Sequence, residues 1–130
     1  MVDDPLTQAV IGCAMRVHRT LGAGFLESVY ENALIHELGR ADVPVECQKR
    51  IPVYYDGVVV GDFVADLLVG GRVIVENKAV RALAREHEVQ LVNYLVATGI
   101  DTGLLLNFGA PSLQIKRKYR VYRKKEEGQD

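Results

Sequence analysis

The stretch that most limits what this chain can fold into is "VVVGDFVADLLVGGRVIVENK", residues 58 to 78. It is rich in Val, Leu and Ile and reads as two strands, 58–69 and 72–78, joined through Gly70-Gly71. Residues 45 to 55 read as a further extended segment that turns back at Asp56-Gly57, a hairpin signal. Pro52 within that segment marks it as an edge strand or a bulge.

Helical periodicity surrounds these strands. Asp3 or Asp4 caps a helix with Pro5 in its first turn, and Val10, Cys13, Ala14, Val17, His18 and Leu21 follow at helical spacing. "LGAG" (21 to 24) ends it. In "GFLESVYENALIHEL" (24 to 38) an apolar arc runs through Leu26, Val29, Tyr30, Ala33, Leu34 and Leu38, and Glu27 falls inside that arc. A carboxylate facing a core requires a partner or a purpose. A third helix is predicted from about Leu83 to Thr98, with His87, Gln90, Leu91, Tyr94, Leu95 and Thr98 on one stripe.

"GLLLNFG" (103 to 109) has the character of a strand covered on both faces. Residues 113 to 122 alternate, with Gln114, Lys116, Lys118 and Arg120 on one face. The order α-α-β-β-β-α-β-β describes an α/β fold, a mixed central sheet flanked by helices. With 130 residues the chain suits one domain, expected over 1–125 with a disordered tail at 126–130.

No apolar run has the length of a membrane span and the N-terminus lacks the pattern of a secretory signal, so no membrane partner is expected and the expected location is cytoplasmic. Cys13 and Cys47 form neither a disulfide framework nor a zinc-binding spacing. The net charge of −1 hides an asymmetry: residues 1–110 hold nine Lys/Arg against fourteen Asp/Glu, and residues 111–130 hold seven against three. A polyanion could use that basic end, although a charged terminus also serves simply as a solvated one.

Asp66, Glu76 and Lys78 stand in otherwise apolar strands, where they are costly unless they serve one another or a metal ion. A hard divalent cation relieves the repulsion of adjacent carboxylates, and a nearby lysine can orient a water and neutralise phosphate charge. A buried ion pair explains any two of these residues more easily than all three with Glu27. Register decides whether the acids converge. A two-residue Gly70-Gly71 turn pairs Asp66 with Val75, whereas a three-residue Gly70-Gly71-Arg72 loop pairs Asp66 with Glu76.

Asp66 followed by Glu76-x-Lys78 and a helix resembles the core of the PD-(D/E)xK nuclease superfamily. Gly24-Phe-Leu-Glu27-Ser-Val-Tyr30 is similar to the signature of its GxxExxY group, and the likeness runs through "IPVYYDG", "ADLLV", "VIVENKAV", "HEVQLVNYL" and "TGLLLNFG". The resemblance implies a restriction-endonuclease-like fold and a Mg²⁺-dependent nuclease, with Mn²⁺ as a substitute ion. It implies Asp66, Glu76, Glu27 and the Asn77 backbone carbonyl as metal ligands, with Lys78 at the attacking water. It further implies Gln90 and Tyr94 as a Q-x-x-x-Y pair orienting substrate and Lys78. Asn77 departs from the family's usual apolar residue there and needs a hydrogen-bond partner.

DNA is the expected partner, with RNA and a homo-oligomer left open. Its backbone would be gripped by Lys49, Arg50, Arg81, Arg85 and the Lys116/Lys118/Arg120 face, with His87 either a phosphate contact or a packed residue. The competing expectation is a catalytically silent module that uses the same fold to hold nucleic acid or protein.

Overall fold

The computed structural model describes residues 4–121. Three helices, α1 (Pro5–Leu21), α2 (Glu27–Arg40) and α3 (Arg85–Thr98), accompany five strands: β1 (Val45–Tyr55), β2 (Val58–Val69), β3 (Val73–Lys78), β4 (Thr102–Asn107) and β5 (Gln114–Tyr119). The strands form one sheet in the order β1-β2-β3-β4-β5. All neighbours are antiparallel except β3 and β4, which α3 joins as a parallel crossover. This is the α/β architecture expected from the sequence.

Local chemistry accounts for the turns. Asp56 and Gly57 adopt left-handed φ of 54° and 78°, linking β1 to β2 through the Tyr55↔Val58 pair. Pro52 lies on β1, an edge strand, where its missing N–H costs least. Gly70 and Gly71 are also left-handed, at 60° and 72°, and Val69 pairs with Val73, so the β2–β3 connection is the three-residue loop. Asp4 caps α1 by accepting from the Leu6 N–H at 2.9 Å and clamps Arg72 of that loop at 2.7 and 2.9 Å.

The sheet separates two cores. Val10, Cys13, Ala14 and Val17 of α1 and Tyr30, Leu34 and Leu38 of α2 pack against Leu67, Val69, Val73, Val75, Leu104 and Leu106. On the other side, Leu91 and Leu95 of α3 meet Ile51, Phe63, Ala65, Leu68, Ile74 and Leu105. Successive residues of β3 and β4 therefore alternate between cores, as the apolar run in β4 predicts. In β2 the alternation breaks: Phe63 and Ala65 belong to the α3 core, while Leu67 and Val69, of the same parity, belong to the other. Asp66 sits at that changeover. No helix among the described residues is long and apolar enough to cross a membrane.

Two expectations change in the helices. Leu26 is the cap of α2 rather than part of it and is 76% exposed, and Glu27, the first helical residue, is exposed too. The buried stripe is Tyr30, Leu34 and Leu38, so Glu27 does not face a core. The cause is the loop before α2. Gly24 has φ of 117°, and the buried Tyr30 hydroxyl donates to Gly22 O at 2.5 Å and accepts from the Phe25 N–H at 3.1 Å. That clamp holds Phe25 and Leu26 outside the helix. The third helix starts at Arg85 rather than Leu83, with Ala84 as its cap. The expected tail at 126–130 lies outside the described residues.

Candidate active site

The β2–β3 ladder consists of Leu67↔Val75, Leu68↔Ile74 and Val69↔Val73. Continuing the same register brings Asp66 opposite Glu76, and there side chains replace the ladder. The Asp66 N–H donates to Glu76 Oε2 at 3.2 Å, and the Asn77 N–H donates to Asp66 Oδ2 at 2.8 Å. Each carboxylate thus occupies the opening between the parting strands and satisfies a backbone donor that a partner carbonyl would otherwise take. Two residues along β3, Lys78 is half-buried, and its carbonyl accepts from the Phe108 N–H at 2.8 Å.

The local electrostatics are lopsided. Burial, and then the Asp66 carboxylate beside it, pushes Glu76 up to about 8. Burial also raises Asp66, against the pull of the Asn77 N–H, the Lys78 charge and the Gln48 amide. Glu31, one turn beyond Glu27 on α2, is raised by burial and by the charges of Asp66 and Glu27. The Glu27 charge reaches Glu76 as well. The charges of Asp66 and Glu27 thus act on both Glu31 and Glu76, and the Lys78 charge opposes the effect of burial at Asp66 and Glu76. The Asn77 side chain, which alternation along β3 turns to the face opposite Glu76 and Lys78, is fully buried, with neither Nδ2 nor Oδ1 hydrogen-bonded. Convergent carboxylates with one lysine suit phosphoryl chemistry.

A family model described as the PD-(D/E)XK nuclease superfamily matches residues 4–118. The chain belongs to that superfamily. A solved structure, that of SSO0001, matches at 17% identity and a TM-score of 0.45, over 92% of this chain and 70% of that one, a likeness too distant to argue from. No curated protein matches. Members of the PD-(D/E)XK superfamily are usually nucleases, and they typically use divalent metal ions.

The described residues contain no group of three or more His, Cys, Asp or Glu side chains arranged as a ready metal cage. The donor set still suits the superfamily's ions. A cation of the Mg²⁺ type needs only one or two carboxylates and completes its shell with water and substrate phosphate. Asp66 and Glu76 supply two carboxylates whose mutual repulsion a cation relieves, beside an orphaned amide at Asn77.

The other residues expected at a PD-(D/E)XK site are more dispersed. Gln90 is exposed, and no hydrogen bond joins it to Lys78 among the described residues. Tyr94 stacks on Phe63 with ring centroids 3.7 Å apart, as part of the α3 core. His87 Nδ1 accepts from the Ala84 N–H at 3.0 Å and so caps α3. Lys49 pairs with Glu46 at 3.1 Å and Arg50 with Asp62 at 2.5 Å. On β5, Lys118 pairs with Glu88 at 2.6 Å and the adjoining Arg120 with Asp101 at 2.8 Å, whereas Lys116 is exposed. Arg81 and Arg85 are exposed near the site's own strand and helix.

Sequence reasoning missed Glu31 and Gln48. Glu31 carried a signal, since it lies four residues after Glu27 and so on the same helical face. Gln48 carried none, because glutamine gives no hint of the left-handed φ of 49° that it adopts in β1.

Proposed function

We propose that this PD-(D/E)XK domain is a Mg²⁺-dependent nuclease that hydrolyses DNA phosphodiester bonds. The observation that carries this reading is the convergence of Asp66 and Glu76 where β2 and β3 part, with Lys78 on the same strand as Glu76. Asp66 and Glu76 would hold the cation, with the Asn77 backbone carbonyl as a further oxygen donor and Glu27, exposed at the start of α2, reaching it through water. When bound, the cation polarises the scissile phosphate and lowers the pKa of a water. Lys78 orients the attacking water and balances the charge that accumulates on the phosphate. The backbone hydrogen bonds to both carboxylates hold them in place before substrate arrives.

Arg81 and Arg85, exposed on the segment leading from Lys78 into α3, are the cations best placed to grip a phosphate backbone. Lys49, Arg50, Lys118 and Arg120 would have to leave acidic partners to do so, so they contribute less. Gln90 is available to substrate by its exposure, while Tyr94 acts through packing.

End-labelled duplex DNA incubated with the purified chain should be cut in Mg²⁺ or Mn²⁺ and left intact in EDTA. Retained DNA binding without cleavage in either ion would instead favour a silent binding module on the same fold.

A further inference from the structure

Gln48 is a non-glycine residue in the left-handed region, with φ of 49° in the middle of a strand. The ladder pairs Cys47 with Leu67 and Lys49 with Ala65, so Gln48 stands opposite Asp66. A bulky residue keeps such a conformation only where its surroundings enforce it. Here the turned side chain reaches α2: Gln48 Nε2 donates to Glu31 Oε2 at 3.1 Å and lies 3.4 Å from Oε1. The same amide favours the charged form of Asp66. Glu31 is consequently tied, half-buried, to the β1 residue that stands opposite Asp66, whereas Glu27 lies exposed at the helix start.

Asn77 supplies an independent observation. Its exposure is 0%, and its side-chain Nδ2 and Oδ1 have no hydrogen-bond partner. It lies near enough to Glu31 to favour that carboxylate's charged form, but outside hydrogen-bonding geometry. Strand alternation puts it with Val73 and Val75, on the side where α2 packs. A buried primary amide with both functions unmet, aimed at a half-buried carboxylate, leaves room in its chemistry for a polar occupant. Neighbouring carboxylates with an unmet amide beside them suit a hydrated divalent cation.

We propose that Glu31 is a further acid of the cation site, holding the ion's water shell together with the Asn77 side-chain amide, and that Gln48 is its positioning residue. This rests on the metal-dependent reading of Asp66 and Glu76. It adds an acid from the second turn of α2, a strained glutamine dedicated to it, and a role for the Asn77 side chain distinct from that of its backbone carbonyl.

Calorimetric titration of Mn²⁺ into the full chain separates the possibilities. Glu31→Gln should weaken Mn²⁺ binding by about tenfold or more while leaving the metal-free melting temperature unchanged or higher. Gln48→Gly provides the second arm, because glycine accepts the left-handed backbone without strain. It should fold at least as stably as the wild type and yet bind Mn²⁺ roughly threefold to tenfold more weakly. Asp66→Asn serves as the reference for the underlying site. If the wild type binds Mn²⁺, Asp66→Asn abolishes binding and Glu31→Gln binds like the wild type, the role of Glu31 is overturned while the metal site stands. If the wild type binds no Mn²⁺, both are overturned.

Discussion

The Glu76 carboxylate accepts a hydrogen bond from the Asp66 N–H, while the Asp66 carboxylate accepts one from the residue after Glu76. The two acids therefore complete each other's strands at the point where the regular ladder stops. The arrangement holds two acids together by using backbone donors, and it gives them a structural duty as well as a chemical one.

Replacing Glu76 by glutamine separates those duties. The amide oxygen can still accept from the Asp66 N–H, while the buried charge is gone. The metal-free variant should melt at or above the wild-type temperature at pH 8, and its Mn²⁺ affinity should fall by about a hundredfold or more. A variant that melts lower but binds Mn²⁺ normally would assign Glu76 a structural role alone.

The pH dependence of stability follows from the same acids. Glu76 is held up to about 8 against an ordinary 4.5, so between those values the folded protein keeps a proton that the unfolded chain has released. Stability of the metal-free protein should therefore fall as pH rises through that window, with Asp66 and Glu31 contributing in the same direction. Asp4, lowered to about 2 by its Arg72 partner, acts oppositely, and its contribution is lost below about 3.8. Urea midpoints across pH 5 to 8 measure the slope. Saturating Mg²⁺ should flatten it, because a bound cation favours the charged carboxylates.

Tyr30→Phe tests the clamp that sets the start of α2. The ring, stacked on Phe108 with centroids 4.8 Å apart, stays, while the hydroxyl that joins Gly22 O and the Phe25 N–H is lost. Leaving those groups unpaired should cost about 1–3 kcal/mol in a urea titration. Nuclease activity should fall more than stability alone explains, since Glu27 is the first residue beyond the clamped loop.

Gly109→Ala tests how the segment after Lys78 is held. A β-carbon there would lie 2.4 Å from Val80 O and 2.5 Å from Val80 N, both backbone atoms. The same stretch is fastened by Asn107, whose side chain accepts from the Val80 and Gly109 N–H groups and donates to Val80 O and Gln114 Oε1. The substitution should displace the 79–84 segment and cost about 1–3 kcal/mol or more in stability, measured by thermal unfolding. A neutral result would mean that the segment moves freely.

How much of this was legible beforehand depended on the range of the forces involved. The turns at Asp56-Gly57 and Gly70-Gly71 were readable because few residues accept left-handed backbone, and the apolar run in β4 because burial on both faces forbids alternation. The register of Asp66 with Glu76 was readable only as one of two alternatives, since the choice depends on Arg72 belonging to the loop. The inward direction assigned to Glu27 was incorrect because the start of α2 is fixed by a tertiary clamp from Tyr30. Likewise, the basic face of β5 is partly neutralised by Glu88 and Asp101, acids distant in sequence that periodicity cannot pair with it.

That Asp66, Glu76 and Lys78 form one hydrolytic centre is tested by single-turnover cleavage of labelled DNA in Mg²⁺ by the wild type, Asp66→Asn and Lys78→Met. Wild-type cleavage should disappear in EDTA, each variant should lose about a hundredfold or more in rate, and Mn²⁺ binding should be retained in Lys78→Met but not in Asp66→Asn. Cleavage by Asp66→Asn or Lys78→Met at the wild-type rate, or no cleavage by a wild type that binds both metal and DNA, would contradict it.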